Sequence, residues 1–354
     1  MMKAAGSVNG QSTGGPSRWY SFPGMTKEAT PAREPQSAGA VLMVRPAGFA
    51  FNPETAASNA FQAAASAAGP NFTGLPHAAA QELALREFDG LAAALSRAGI
   101  EVIVGEDTAS PPKPDAVFPN NWVSFHRDGT VVLYPMMAPN RRPERREDLV
   151  RQVIRQGGFR TSRTVDLSHR EASSQYLEGT GSLVLDRANR VAFACLSPRT
   201  DFDVLGEFAQ ALDYDLATFE AFDAAGRAIY HTNVLLAIGS GFAVICAETI
   251  GRPEHRAAVM ARLRATGHVP IEISSQQMRC FAGNILELKS PAGAVIAMSA
   301  TAWDSFEPAQ RRILEAQGTV VTAPIPVIEA LGGGGVRCML AEIHLPKHVS
   351  PPVP

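Results

Sequence analysis

Asn121-Trp122-Val123-Ser124-Phe125, then a turn at Asp128-Gly129, then Val131-Val132-Leu133-Tyr134: this stretch reads as two short β-favouring runs joined into a hairpin. The figure recurs three times. Gly181 to Leu185 answers Val191 to Cys195 across Ala188-Asn189. Asn233 to Ala237 answers Phe242 to Cys246 across Gly239-Ser240-Gly241. Asn284 to Leu288 answers Ala294 to Met298 across Pro291-Ala292-Gly293. A fifth apolar run, Val336 to Ile343, has no second run after it, and its partner is expected at Val41 to Arg45. The five runs begin at positions 121, 181, 233, 284 and 336, offsets of 60, 52, 51 and 52 residues. Offsets this even mark a repeated supersecondary unit.

The filler between hairpins repeats as well. Helical periodicity runs over Glu82 to Ala98, Pro143 to Gln156, Leu205 to Leu212, Pro253 to Thr266 and Glu307 to Ala316. Each is followed by a short β-like run: Glu101 to Val104, Arg163 to Asp166, Asp215 to Phe219, His268 to Glu272 and Thr319 to Thr322. Several of the helical segments open on Pro or an acidic residue, as helix N-termini prefer. The unit is therefore ββαβ, repeated five times. The fold class this predicts is α/β, a five-bladed α/β propeller with pseudo-fivefold symmetry. Its first and last strands share one blade, which closes the ring and removes exposed sheet edges.

The bulk numbers agree with a globular chain. Of 354 residues, 45% are hydrophobic and 19% charged, and the formal net charge is -2. That balance lacks the basic excess of a nucleic-acid binder. No run approaches the roughly 20 apolar residues that span a bilayer. Residues 1–39, rich in Gly, Ser, Pro and Thr and without an apolar signal core, read as a disordered leader. A single catalytic domain is expected over 40–348, with a tail at 349–354. The four cysteines, Cys195, Cys246, Cys280 and Cys338, form no Cys-x-x-Cys pair and no zinc-ligand spacing. Thiols, a reducing compartment and a cytoplasmic location are the expectation.

Polar residues fall at or just before the start of each hairpin, where apolar strand starts would be the default: Asp115 and Asn121, Glu178, His231 and Asn233, Asn284, and Cys338. In a ring of like units these positions converge on the axis. An acid, a base and a thiol would then share one pocket. Each has a plainer alternative: Cys338 as a buried inert thiol, His231 as a satisfied core histidine, Glu178 as a turn residue, Asp115 as loop chemistry. The shared phase, and the run Gly332 to Gly335 before Cys338, favour chemistry. Arg142 and Arg199 follow the second strands of the first two hairpins, where paired arginines suit a substrate carboxylate.

These residues resemble the guanidino-group-modifying enzymes, or penteins, which include arginine deiminase, dimethylarginine dimethylaminohydrolase and the amidinotransferases. The resemblance spans about Val41 to Pro346. Its nearest form is the bacterial citrulline-utilising hydrolases, on Pro114 to Trp122, Leu177 to Ser182, Tyr230 to Val234, Phe281 to Asn284 and Gly332 to Glu342. The resemblance implies a Cys–His–Glu site, with Cys338 as nucleophile, His231 as acid and base, and Glu178 holding the substrate's planar nitrogens. Asp115 matches a substrate-binding acidic position, and Asn121, Arg142, Arg199, Asn233 and Asn284 complete the expected binding set. Asn233 stands where arginine deiminase carries Asp, which weakens an arginine deiminase reading. No metal and no cofactor is implied. The implied partner is a small amino-acid substrate, with no nucleic acid and no membrane, and a homodimer is expected. An amidinotransferase and a non-catalytic binding scaffold of the same fold are the alternatives. A papain-like protease would need a peptide groove that the repeat does not suggest.

Overall fold

The computed structural model describes residues 34–63 and 75–348. It is an α/β structure whose strands form five three-stranded sheets. In four sheets the chain makes an antiparallel hairpin, passes through a helix, and returns with a strand parallel to the hairpin's second strand. These are β3 (Val123–Phe125), β4 (Thr130–Leu133) and β5 (Arg163–Asp166), then β6 (Leu183–Asp186), β7 (Val191–Cys195) and β8 (Asp215–Phe219). The next two sheets are β9 (Leu236–Ile238), β10 (Phe242–Ile245) and β11 (Val269–Glu272), then β12 (Leu286–Ser290), β13 (Gly293–Ser299) and β14 (Thr319–Ala323).

The fifth sheet joins the two ends of the sequence. β1 (Ala40–Arg45) runs parallel to β2 (Glu101–Glu106) and antiparallel to β15 (Ala341–Glu342), with Val41 opposite Glu342 and Leu42 opposite Ala341. The expected partnership is present, but the last strand is two residues long rather than eight. Val336–Met339 is a 3-10 turn. The backbone there is spent on the neighbouring unit: the Arg337 N–H donates to the Asn284 carbonyl.

Local signals explain the helices. Glu147–Gly157 opens on Glu147 and Asp148, carries Arg155 in its last turn, and stops at Gly158 in the left-handed region. Phe202–Leu212 is capped by the Asp201 carboxylate, which accepts from the Asp203 and Val204 amides. Helix His77–Arg97 buries Ala84, Phe88, Leu91 and Leu95 in one core cluster with Val41 and Met43 of β1 and Val295 and Ala297 of β13. Removing four such side chains from water contributes several kcal/mol, at about 1.5–3 kcal/mol for each large one.

Residues 34–39, assigned from sequence to the leader, are described and packed. Glu34 is buried against Arg187, Gln36 bonds the Leu185 and Ile238 carbonyls, and the Ala38 carbonyl accepts from Lys289 N–H. Residues 1–33 and the tail 349–354 lie outside the described residues. Among the described residues no helix is long and apolar enough to cross a membrane.

Candidate active site

Tight turns lead into several of the runs, and the polar residues lie in these turns or just before them. Pro119–Asn121 ends on Asn121, Glu178 immediately precedes Gly179–Ser182, His231 immediately precedes Thr232–Val234, and Cys338 sits inside Val336–Met339. A turn about three residues long presents its side chains in different directions, so one or two per unit reach a common centre.

At that centre His231 Nε2 lies 2.9 Å from Glu178 Oε2, with both side chains buried. Glu178 Oε2 also meets Arg199 Nη1 at 3.3 Å, and Oε1 accepts the Met137 N–H at 3.0 Å. Burial alone would raise the Glu178 carboxyl; Arg199, then His231 and Arg141, outweigh it and hold it well below the usual carboxylate range. An ionised Glu178 fixes the proton on Nε2 and leaves Nδ1 as the basic nitrogen. Burial lowers His231 to about 4 despite the pull of Glu178, so the ring is neutral near pH 7.

Cys338 is buried, and its sulfur receives two amide donors, Asn284 Nδ2 at 3.3 Å and Asn233 Nδ2 at 3.4 Å. Burial raises its thiol; Asn284 and then Asn233 act against that rise. The glycine before the turn is a matter of space. A Cβ on Gly335 would stand 2.8 Å from Asn284 Oδ1, so only glycine lets the two strands of chain approach.

Cys338 and His231 line one small cavity with Asp115, Asn121, Arg141, Arg199, Tyr230 and Gly332 to Gly334. Its volume is about 10 Å³, room for about one water. Thr55 and Asn59 form another wall. That segment is tied down on several sides: Asn52 Nδ2 donates to Asp115 Oδ2 at 2.7 Å, Arg199 Nη2 donates to the Thr55 carbonyl at 2.9 Å and Ser58 Oγ at 2.6 Å, and Asn59 Nδ2 donates to the Gly333 carbonyl at 3.3 Å.

The sequence profile of the eukaryotic N,N-dimethylarginine dimethylhydrolases matches residues 45–345. The chain belongs to this family. It is thus a member of the pentein superfamily. No curated protein matches it by sequence. Among solved structures, it resembles the N-terminal domain of ArgZ, a substrate-bound cysteine-to-serine mutant of an arginine dihydrolase from the ornithine-ammonia cycle in cyanobacteria. The TM-score is 0.64 at 18% identity, over 86% of this chain and 99% of that one. AgrE, a mutant in complex with L-arginine, gives 0.66 at 18% identity over 87% of this chain and 40% of that one. A dimethylarginine dimethylaminohydrolase carrying an S-methyl-L-thiocitrulline adduct gives 0.55 at 14% identity, over 86% and 100%. At these identities the likeness is one of fold.

In this dimethylhydrolase-family chain eight of the nine expected residues divide into three groups. Cys338, His231, Asp115, Asn121 and Arg199 do line one cavity. Asn233 and Asn284 are not among its lining residues; their amides are turned onto the Cys338 sulfur. Glu178, expected to hold the substrate's nitrogens, lies off the cavity, with its oxygens bonded by His231, Arg199 and Met137.

Arg142 is a correction. It is half-exposed and pairs with Glu171 at 3.3 Å. The inward residue is its neighbour Arg141, whose guanidinium is bidentate on Glu144, at 3.0 and 2.8 Å, and donates to Asn121 Oδ1 at 3.0 Å. Both sit in the 3-10 turn Pro139–Glu144, where a shift of one residue turns the side chain by about 120°. Sequence reasoning also missed Thr55, Asn59 and Tyr230. Tyr230 adjoins the His231 motif and could have been drawn in by that proximity. Thr55 and Asn59 have no counterpart in the repeat and carried no signal.

Proposed function

We propose that this chain is a cysteine-dependent hydrolase of guanidino or ureido C–N bonds in arginine-derived amino acids of the citrulline or methylarginine class, with its five sheets set as the blades of a propeller around the site. The supporting observation is a buried Cys338 sulfur with two amide donors, on the same cavity as a histidine whose Nε2 is fixed by an ionised carboxylate. A structural thiol needs neither.

The chemistry follows from those groups. The Cys338 proton passes to the basic Nδ1 of His231 as substrate binds. The thiolate pair forms a bond to the central carbon of the guanidino or ureido group. The C–N bond breaks, and the departing amine takes the proton from His231. Water then gives a proton to Nδ1 and its oxygen bonds to the same carbon. The C–S bond breaks with its electron pair returning to sulfur, which takes back the proton.

Three buried atoms without partners suggest how a substrate is held: Asn121 Nδ2, Asp115 Oδ1 and Asn233 Oδ1. Arg141 donates to Asn121 Oδ1, which leaves its NH2 for a ligand acceptor. A urea oxygen offers that acceptor; a guanidinium has only donors. A neutral ureido head therefore fits position 121 better. A substrate carboxylate at Arg199 displaces the Ser58 hydroxyl, so the wall that carries Thr55 and Asn59 has to give way on binding. The deciding experiment incubates the protein with citrulline, methylated arginines, arginine and agmatine and measures ammonia, methylamines and ornithine released. Turnover that survives in Cys338→Ala would refute the reading.

A further inference from the structure

We infer that Asn284 and Asn233 are catalytic residues whose amide NH2 groups hold the Cys338 sulfur in its anionic form, as a preorganised pair of donors.

The orientation of Asn284 is fixed from three sides. Its Oδ1 accepts the Cys338 N–H at 3.4 Å, and its Nδ2 donates to the Asn233 main-chain carbonyl at 2.9 Å as well as to Sγ at 3.3 Å. Turning the amide over would oppose oxygen to oxygen at Asn233. The donor therefore faces the sulfur whatever the sulfur's charge, and no reorganisation is needed when charge develops. Asn233 supplies the second donor from the adjacent unit at 3.4 Å.

Among the described residues Arg337 also acts against the rise of the thiol, but less than either amide. Arg337, next to the nucleophile, gives Nη2 to Glu342 at 2.8 Å and Nη1 to the Leu340 carbonyl at 2.9 Å. His231 is neutral near pH 7. A buried thiolate whose neighbouring Arg337 is already paired with Glu342 leans on hydrogen-bond donors, and a neutral S–H, a weak acceptor, gains little from two of them. The pair thus discriminates between the two protonation states. It acts twice in the cycle: when the thiol loses its proton, and when the C–S bond breaks and the electron pair returns to sulfur.

The backbone pays for this placement at Phe281, whose φ is +62°. An aromatic residue in the left-handed region is strained. The Asn284 N–H bonds the Phe281 carbonyl at 2.8 Å, so the strained residue closes the turn that delivers Asn284.

The inference rests on Cys338 being the nucleophile, yet its test needs no substrate. Carboxamidomethylation of Cys338 by iodoacetamide is followed from pH 6 to 11 by peptide mass spectrometry, with Cys338→Ala as the blank. Asn284→Asp keeps the shape and replaces the donor by a carboxylate. Its midpoint should move up by about one unit or more, a tenfold or greater loss of rate at pH 8, on the scale of a hydrogen bond to a charged group. Asn233→Ala should move the same way by a smaller amount. Circular dichroism and urea midpoints establish that each variant is folded; if Asn284→Asp is not, Asn233→Ala decides. Wild-type profiles in the folded variants would overturn the inference. Shifted profiles without turnover of any arginine-derived compound would leave it standing and sink the proposed function instead.

Discussion

His231 Nε2 and Glu178 Oε2 meet at 2.9 Å in a place sealed from solvent, and Glu178 does not line the cavity. A carboxylate that orients the base should matter to the rate and little to binding. Glu178→Gln keeps the volume, removes the charge and frees the ring to carry its proton on Nδ1. Steady-state kinetics should show kcat reduced by about 10²–10⁴, the usual worth of general acid–base catalysis, with KM within a few-fold. A large rise in KM with little change in kcat would show that Glu178 grips substrate after all.

The same pair has a signature in stability. His231 titrates at about 4 when folded, against an ordinary value of 6.5. The unfolded chain thus binds this proton more readily, so stability rises with pH across that window. The contribution is fully present above about 6.5 and lost as pH falls through 4. It is bounded at about 2–4 kcal/mol. Other groups oppose it: burial pushes Glu87 and Glu329 up to about 7, and their contributions are lost as pH rises through that range. A difference measurement isolates the histidine. Urea midpoints of wild type and His231→Asn, taken from pH 4 to 7.5, should converge towards the acid end. Parallel curves would mean that His231 is not held neutral by the fold.

Arg141 and Arg142 should behave oppositely. Arg141 is buried between Glu144, Asp115 and Asn121, so Arg141→Met leaves carboxylates without their partner. Breaking a buried pair this way costs about 3–5 kcal/mol. Arg142 is half-exposed on Glu171, and Arg142→Met should cost about 1 kcal/mol or less. Chemical denaturation of both variants tests the ordering, and equal losses would contradict it.

That pair also marks what the sequence could reveal. The hairpins, the intervening helices and the union of Val41 with the last strand follow from apolar runs at even offsets, because the core demands them. Cys338, His231 and Glu178 stood out in the sequence as polar residues at or just before the start of successive runs of the repeat. Arg141 did not, since repeat phase cannot resolve one residue from the next within a 3-10 turn. Thr55 and Asn59 lie in a segment that interrupts the repeat, so periodicity was silent there. The direction in which Asn233 and Asn284 turn depends on the Cys338 amide and the Asn233 carbonyl, contacts made only in three dimensions.

Gly181 offers a steric test. A Cβ there would stand 2.5 Å from Asn121 Nδ2 and 2.7 Å from His231 Nδ1. Gly181→Ala should push both groups from their places and reduce kcat/KM by at least about 10²-fold, as misplacement near 1 Å does. Circular dichroism should remain close to wild type. Full activity would show that neither group acts through the position it holds here.

Substrate charge is the sharpest expectation. Asn121 and Asn233 are buried amides, each with one unpartnered atom, so neither supplies the negative charge that a guanidinium requires. A buried cation short of carboxylates is costly. Asp115 remains on the cavity, but burial raises its carboxyl, and Asn52 and Thr55 already occupy Oδ2. Glu178 is committed to His231 and Arg199. A neutral urea meets none of this difficulty: its oxygen accepts from Asn121 Nδ2, and its NH2 can donate to Asn233 Oδ1. Citrulline should therefore exceed free arginine in kcat/KM on one enzyme preparation. Asn233→Asp removes a donor from the Cys338 sulfur and should slow both substrates, so the ratio carries the information. Restoring one carboxylate should move the arginine-to-citrulline ratio upward by about tenfold or more, on the scale of a charged hydrogen bond. Arginine outpacing citrulline in the wild type would refute the charge argument. A ratio unmoved in Asn233→Asp would show that position 233 does not read the substrate's charge.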